Sequence, residues 1–299
     1  MNVIYSFIGK LPNYIIETIY QLRLYYDGDV YLIIDDIKSQ YLKDIVKFNI
    51  KIIKYEDVID NEFNNLNKNK IVIVNNLGDR KLLFIKSFER FYLLKNLMKK
   101  YNLKNCLFLE LDNLIYDNPS NWLKLFSKDK LNAMYHNSSN CKHISTGLCF
   151  IYKFEILEPI LEYYNNFIKT SKTFICEMVA NYNYHIETSN LNLLPIHWTD
   201  NNVNKMAYEN IDLFNNSLFD ALSIGVYLCG FDKVHTNNKI KLYQKNHFCD
   251  IDFTKYKIYW KITNGLKKPY IQDNNNNEYL INNLHVHSKD LKLGLSKPI

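Results

Sequence analysis

Glu110 and Asp112 stand two positions apart, directly after the most continuously apolar run of the chain, Asn105-Cys106-Leu107-Phe108-Leu109. In an extended segment, residues two apart share a face, so both carboxylates can converge on one cation. Hard oxygen donors suit Mg2+ or Mn2+, which keep their remaining sites for water and phosphate. A solvated strand end is the plainer reading of any acid-x-acid pair. Here position argues against it, because Leu114-Ile115-Tyr116 comes next and two unpaired acids in an apolar setting are costly.

A second set lies in His285-Val286-His287-Ser288-Lys289. Alternation predicts that His285, His287 and Lys289 share one side of a ribbon, which offers metal-ligating imidazoles and an ammonium for a diphosphate. A terminal strand edge protected by polar groups is the alternative. Asp35-Asp36 ends the run Tyr31-Leu32-Ile33-Ile34, where acids commonly accept hydrogen bonds from a ribose or base. The loop Ile8-Gly9-Lys10-Leu11-Pro12 lacks G-x-G-x-x-G, and no Walker A motif occurs, which argues against NAD-type and P-loop chemistry.

Arg90, beside Glu89 on a long helical pattern, reads as a surface ion pair or a phosphate contact. Asp220 falls near the start of a helix, as a partner of its dipole or as a general base. Glu177 is a second base candidate, with an ion pair on a helix face as the simpler role. His197, Trp198, Trp122 and Trp260 could stack on a sugar, though buried core is the safer reading.

These residues need a frame, and the patterning supplies one. Strands are expected at Val3 to Ile8, Tyr31 to Ile34, Ile50 to Ile53 and Ile71 to Val74, with helices over Asn13 to Tyr25 and Ser39 to Lys47. A long amphipathic helix from Lys81 to Lys100 leads into the strand before Glu110. Beyond Pro119 come a helix at Ser120 to Phe126, strands at Leu131 to Tyr135 and Thr146 to Tyr152, and helices at Glu155 to Lys169, Thr173 to Tyr182 and Phe219 to Cys229. Asp273 to Asn277 reads as a disordered loop. The fold expected is α/β, with a mainly parallel central sheet flanked by helices and an irregular C-terminal part.

The 299 residues are 47% hydrophobic with only 8 Gly and 6 Pro, which excludes disorder for the bulk of the chain and allows one large domain. The net charge of +6 is carried by Lys, with Arg only at 23, 80 and 90, so an Arg-rich nucleic-acid reader is disfavoured. Six scattered cysteines (106, 141, 149, 176, 229, 249) form no CxxC pair and read as reduced core thiols. The excess of Asn, Lys, Ile and Tyr fits an AT-rich genome, such as that of a large DNA virus or a low-GC microbe, and Asn-based motifs are discounted for that reason. No leader pattern and no membrane-length apolar run is seen, so a cytoplasmic protein is expected, in the host cytoplasm if viral.

In this order, the strand-one loop, Asp35-Asp36, Ser87-Phe88-Glu89-Arg90-Phe91, the acid motif, Thr146-Gly147, Phe219-Asp220-Ala221 to Gly230, and Leu284-His285-Val286-His287-Ser288-Lys289 resemble the nucleotide-sugar-dependent glycosyltransferases of the A-type fold. Within that fold the chain is most similar to a group with an acidic E-x-D motif and a C-terminal L-H-x-H-S-K motif. The resemblance implies one glycosyltransferase domain over residues 1–299, with a donor half at 1–118 and an acceptor half at 119–299. It implies Mn2+ or Mg2+ on Asp112, His285 and His287, and a donor held by Gly9, Asp35, Asp36, Arg90, Glu110 and Lys289. Asp220, then Glu177, would take a proton from the acceptor if the reaction inverts configuration. The implied partners are a nucleotide sugar, UDP-linked, and a glycan or other hydroxyl acceptor; self-association stays open. The rivals are a sugar nucleotidyltransferase, which normally carries a Gly-rich, Arg-bearing first loop, a silent sugar- or nucleotide-binding protein, and a nucleic-acid-binding domain.

Overall fold

The computed structural model describes residues 1–66, 68–75, 81–138, 142–230 and 249–298. Strand β1 (Asn2–Phe7), helix α1 (Ile15–Arg23), β2 (Val30–Ile34), α2 (Leu42–Ile45) and β3 (Ile50–Lys54) open the chain. Short helices α3 (Asn61–Asn64) and α4 (Lys68–Asn75) precede the long α5 (Lys81–Lys100). Next come β4 (Cys106–Leu109), β5 (Asn113–Ile115), β6 (Leu131–Tyr135), β7 (Ile144–Ile151), α6 (Leu157–Thr170), α7 (Glu177–Thr188) and β8 (Leu191–Leu194). After α8 (Ile224–Cys229) the chain ends in β9 (Lys257–Thr263), β10 (Leu266–Gln272), β11 (Glu278–Leu280) and β12 (Asn283–His285).

Seven strands form the central sheet in the order β3-β2-β1-β4-β7-β6-β8. The first four run parallel, β7 is antiparallel to both β4 and β6, and β8 is parallel to β6. The expected α/β architecture, a mainly parallel sheet flanked by helices, is therefore present. Every residue of β2, β4 and β7 is buried, as strands covered on both faces require. Because β1, β2 and β4 point the same way, Gly9, Asp35 and Glu110 all leave the sheet at one rim. In open α/β sheets ligands bind at that rim. Helix α5 has the expected limits, burying Phe88, Phe91, Tyr92 and Leu94 and ending on Lys99 and Lys100.

Four expectations are corrected. Ile71 to Val74 belongs to α4 and not to a strand; packing against α5 buries Ile71 and leaves Ile73 75% exposed, so helix packing overrides β-branched propensity. The segment Ser120 to Phe126 holds only a 3-10 turn at Pro119–Trp122, and α8 begins at Ile224, later than the expected Phe219. Asp273 to Asn277 is an ordered turn: Asp273 Oδ1 accepts the backbone N–H groups of Asn275 and Asn277, both at 2.8 Å, and Oδ2 accepts Nδ2 of Asn277 at 2.9 Å.

Strands β9 and β10 form a hairpin unforeseen in the sequence, joined at Asn264-Gly265 with φ of 52° and 75°. Two positive φ values are what a type I′ turn needs, and Asn-Gly supplies them. Trp122 and Trp198 are buried and Trp260 is partly buried. The five described cysteines are buried and form no disulfide with one another, while Cys141 and Arg80 lie outside the described residues. Among the described residues no helix is long and apolar enough to cross a membrane.

Candidate metal centre at the sheet rim

Past the end of β4, the N–H of Glu110 donates to the Gly147 carbonyl at 2.8 Å, and the N–H of Asn113 returns to the Glu110 carbonyl at 3.0 Å. The acid motif is thus a tight turn pinned to β7. Strand β12 then pairs antiparallel with β5, setting His285 opposite Asn113, and the N–H of Val286 donates to the Asp112 carbonyl at 2.7 Å. His285 Nε2 consequently lies 3.4 Å from Asp112 Oδ2 and 3.5 Å from Glu110 Oε2. Ligating atoms of these three residues all fall within 4.8 Å of one another. Two carboxylates and one imidazole form a donor set that fits Mn2+ or Mg2+.

The imidazole is aimed by its other nitrogen. His285 Nδ1 lies 3.2 Å from the Ala221 carbonyl, so a proton held there turns Nε2 toward the acids. Asp220 fixes the strand beneath. Its Oδ1 accepts the N–H groups of Ser223 and Ile224 at 2.7 and 2.9 Å, and its Oδ2 those of Gly225 and His285 at 2.7 and 2.9 Å. The carboxylate caps α8 and ties it to β12. The contact is close: a Cβ on Gly225 would lie 2.2 Å from the His285 carbonyl oxygen.

Electrostatics reflect this crowding. Burial alone would raise the Asp112 pKa, but Lys289 and His285 hold it well below the usual carboxylate range. Burial would lower His285, yet Asp112 and Glu110 push it up to about 9. Arg90 is buried and does not pair with Glu89, which instead accepts from Tyr55 at 2.6 Å. Its guanidinium donates to Glu110 Oε1, to Thr146 Oγ1 at 3.0 Å and to Glu177 Oε1 at 2.9 Å. Burial would lower its pKa, but Glu110 and Glu177 raise it, so the charge is held.

The structure therefore joins Arg90, Glu110, Asp112, Glu177, His285 and Lys289 in one ionic group, with Asp220 attached through His285. It does not place His287 with Glu110, Asp112 and His285. The ribbon ends at His285, a turn begins at Val286, and the ring centroids of the two histidines are 6.4 Å apart. Alternation thus fails after His285, and Lys289 reaches Asp112 Oδ2 through that turn. Asp35 and Asp36 do meet the loop after β1: the N–H of Gly9 donates to Asp35 Oδ1 at 2.7 Å and that of Leu11 to Asp36 Oδ2 at 3.1 Å. These residues line an open cleft of about 630 Å3 with Lys10, Lys38 and Tyr41, on the same rim of the sheet as the acid group.

Sequence reasoning missed a buried amide pair and one histidine. Asn283 Nδ2 donates to Asn113 Oδ1 at 2.7 Å, Asn113 Nδ2 donates to the Gly147 carbonyl at 2.9 Å, and Asn283 Oδ1 accepts the Asp220 N–H at 3.0 Å. This chain links β7, β5, β12 and Asp220, ahead of α8, beneath Glu110, Asp112 and His285. Their signal, an Asn two residues before His285 and one directly after Asp112, was hidden in an Asn-rich composition. His136 sits edge-on to His143, and neither of its ring nitrogens has a hydrogen-bond partner among the described residues. Burial, with His143 and His285 adding, pushes its pKa down to about 3, so this ring is neutral.

No protein-family model matches the chain, and no curated protein matches it. Among solved structures it is similar to the glycosyltransferase GlyE of Streptococcus pneumoniae, at 13% identity over 64% of this chain and 45% of that one, with a TM-score of 0.42. The chain thus spans less than half of the GlyE structure. Mouse xyloside xylosyltransferase 1 matches at 10% identity over 65% of this chain and 84% of that one, TM-score 0.42. The galactosyltransferase LgtC, in complex with donor and acceptor sugar analogs, matches at 10% identity over 65% and 73%, TM-score 0.42. Similarity at this level leaves the function to the geometry of the site.

Proposed function

We propose that the protein is a metal-dependent glycosyltransferase of the A-type fold, moving a sugar from a UDP-linked donor to a glycan or other hydroxyl acceptor. The observation that carries this reading is the convergence of Glu110, Asp112 and His285 at the ligand-binding rim of the sheet. Asp112 and His285 are the principal ligands of Mn2+ or Mg2+, with Glu110 as the third. When bound, the ion supplies neutralisation of the charge that builds on a departing nucleoside diphosphate. Residues 1–118 supply the nucleotide side, with Gly9, Asp35 and Asp36 in the neighbouring cleft for ribose and base. Residues 119–299 supply the acceptor side.

Lys289 is placed to meet a phosphate oxygen at the edge of the cluster. The two carboxylates expected as bases serve better as positioning groups. Asp220 spends four acceptor positions on backbone N–H groups, and Glu177 is buried against Arg90. A base must be free to take a proton, and these are committed.

Titration of Mn2+ into the protein, followed by turnover of a panel of UDP-, GDP- and CMP-sugars, tests the proposal. Asp112→Ala should abolish Mn2+ binding and turnover while the fold persists. Retention of more than about a tenth of the rate would remove Asp112 from the mechanism, since one lost ligand costs at least ~1.4 kcal/mol of transition-state stabilisation. Donor binding without turnover, indifferent to EDTA, would establish the silent binding protein instead.

A further inference from the structure

We propose that Lys289 is an exchangeable occupant of the metal site: its ammonium holds Asp112 in the metal-free protein, and a divalent cation must displace it to bind. This deepens the metal-site reading above and rests on it. The first observation is shared use of one atom. Lys289 Nζ bonds Asp112 Oδ2, the same oxygen that His285 Nε2 faces at 3.4 Å. The ammonium is thus a stand-in cation at a corner of the ligand set. A compact point charge on a flexible stem is suited to leaving again.

The second observation is where the backbone puts that lysine. Lys289 has φ of +64°, and the other nine described non-glycine residues at positive φ are eight Asn and one Ser. Asn tolerates this conformation, whereas a long charged side chain there is uncommon and points to a local function. The N–H of Lys289 donates to the Val286 carbonyl at 3.1 Å, which closes the turn and throws the side chain across Asp112.

The third is accessibility. The Asp112 side chain is only 7% exposed, whereas that of Lys289 is 37% exposed, so the ammonium can depart toward solvent without opening the core. A cleft of about 310 Å3 lined by Tyr14, Glu17, Lys289 and Lys292 adjoins it. Glu17 and Asp290 line that cleft, so an ammonium displaced into it is met there by acids.

Two measurements on the full chain test the exchange without nucleotide and without activity. Acetylation of lysines read by mass spectrometry should show Lys289 labelled at least fivefold faster once Mg2+ is added, with Lys47 unchanged. By electron paramagnetic resonance of free Mn2+, Lys289→Met should bind Mn2+ at least tenfold more tightly than the unaltered protein, and Lys289→Arg should not. An unchanged labelling rate at Lys289 on saturation with Mg2+ would overturn the exchange, as would equal Mn2+ affinity in Lys289→Met. Should Lys289→Met not fold, the labelling result decides alone. Failure of every variant and of the unaltered protein to bind either ion would overturn the metal-site reading itself.

Discussion

The carboxylate of Asp220 accepts the backbone N–H of His285 at 2.9 Å, so the residue that caps α8 also sets the height of the strand carrying the imidazole. Asn283 reinforces the same joint from below, donating to the Asp220 carbonyl at 3.1 Å and accepting the Asp220 N–H at 3.0 Å. The candidate metal centre is built from segments distant in sequence, and this joint is what brings the C-terminal segment to the acid motif.

Asp220→Asn tests that role. The amide replaces one acceptor oxygen with a donor that faces two N–H groups, and hydrogen bonds to a charged acceptor contribute ~1.5–3 kcal/mol each. We expect unfolding free energy to fall by about 3 kcal/mol in denaturant titration, with Mn2+ affinity falling in step. Loss of turnover at unchanged stability and unchanged Mn2+ affinity would instead make Asp220 the base.

Arg90 offers a separate test, because two acids depend on it. Glu177 is 4% exposed, and the guanidinium between it and Glu110 is its ionic partner. Removing one member of a buried ion pair typically costs ~3–5 kcal/mol, since the other charge is left uncompensated. Arg90→Met should destabilise the protein by about that amount, and Arg90→Lys should recover only part of it, lacking the fork that reaches both acids. A loss below about 1 kcal/mol for Arg90→Met, by denaturant titration at constant m-value, would show that the group is not structural.

How much of this was legible depends on how far each interaction reaches along the chain. The acids after β4 stood out because four apolar residues precede them, and the frame of β1, β2 and β4 is written in short apolar runs. The pairing of Arg90 did not stand out: its sequence neighbour is Glu89, while its actual partners come from a strand end and from the start of α7. Alternation predicted one face for His285, His287 and Lys289, yet strand length is set by the partner, and β5 is three residues long. Discounting Asn removed two kinds of signal at once. Asn113 and Asn283 are buried in the joint under the site, and eight other Asn residues hold positive φ. Asn264-Gly265, a hairpin signal in its own right, was obscured by the same Asn-rich background.

Gly147 provides the sharpest separation of site from scaffold. A Cβ there would lie 2.8 Å from Glu110 Oε2, 3.2 Å from His285 Cε1 and 3.3 Å from Asn113 Nδ2, so three parts of the site crowd one missing methyl group. The position lies within β7, and its φ is not among the positive values, so alanine is sterically excluded by its neighbours and not by its own backbone. Of the three, the Glu110 side chain is the most exposed, at 32% against 10% for that of His285, so its Oε2 is the contact that can yield even with Oε1 held by Arg90. Gly147→Ala should therefore push Glu110 out of the ligand set, at a folding cost of about 1–3 kcal/mol for overpacking. Calorimetric titration should show Mn2+ affinity reduced at least tenfold in a protein that still unfolds cooperatively. If affinity stays within threefold of the unaltered protein, Glu110 is no ligand, and Asp112 and His285 hold the ion without it.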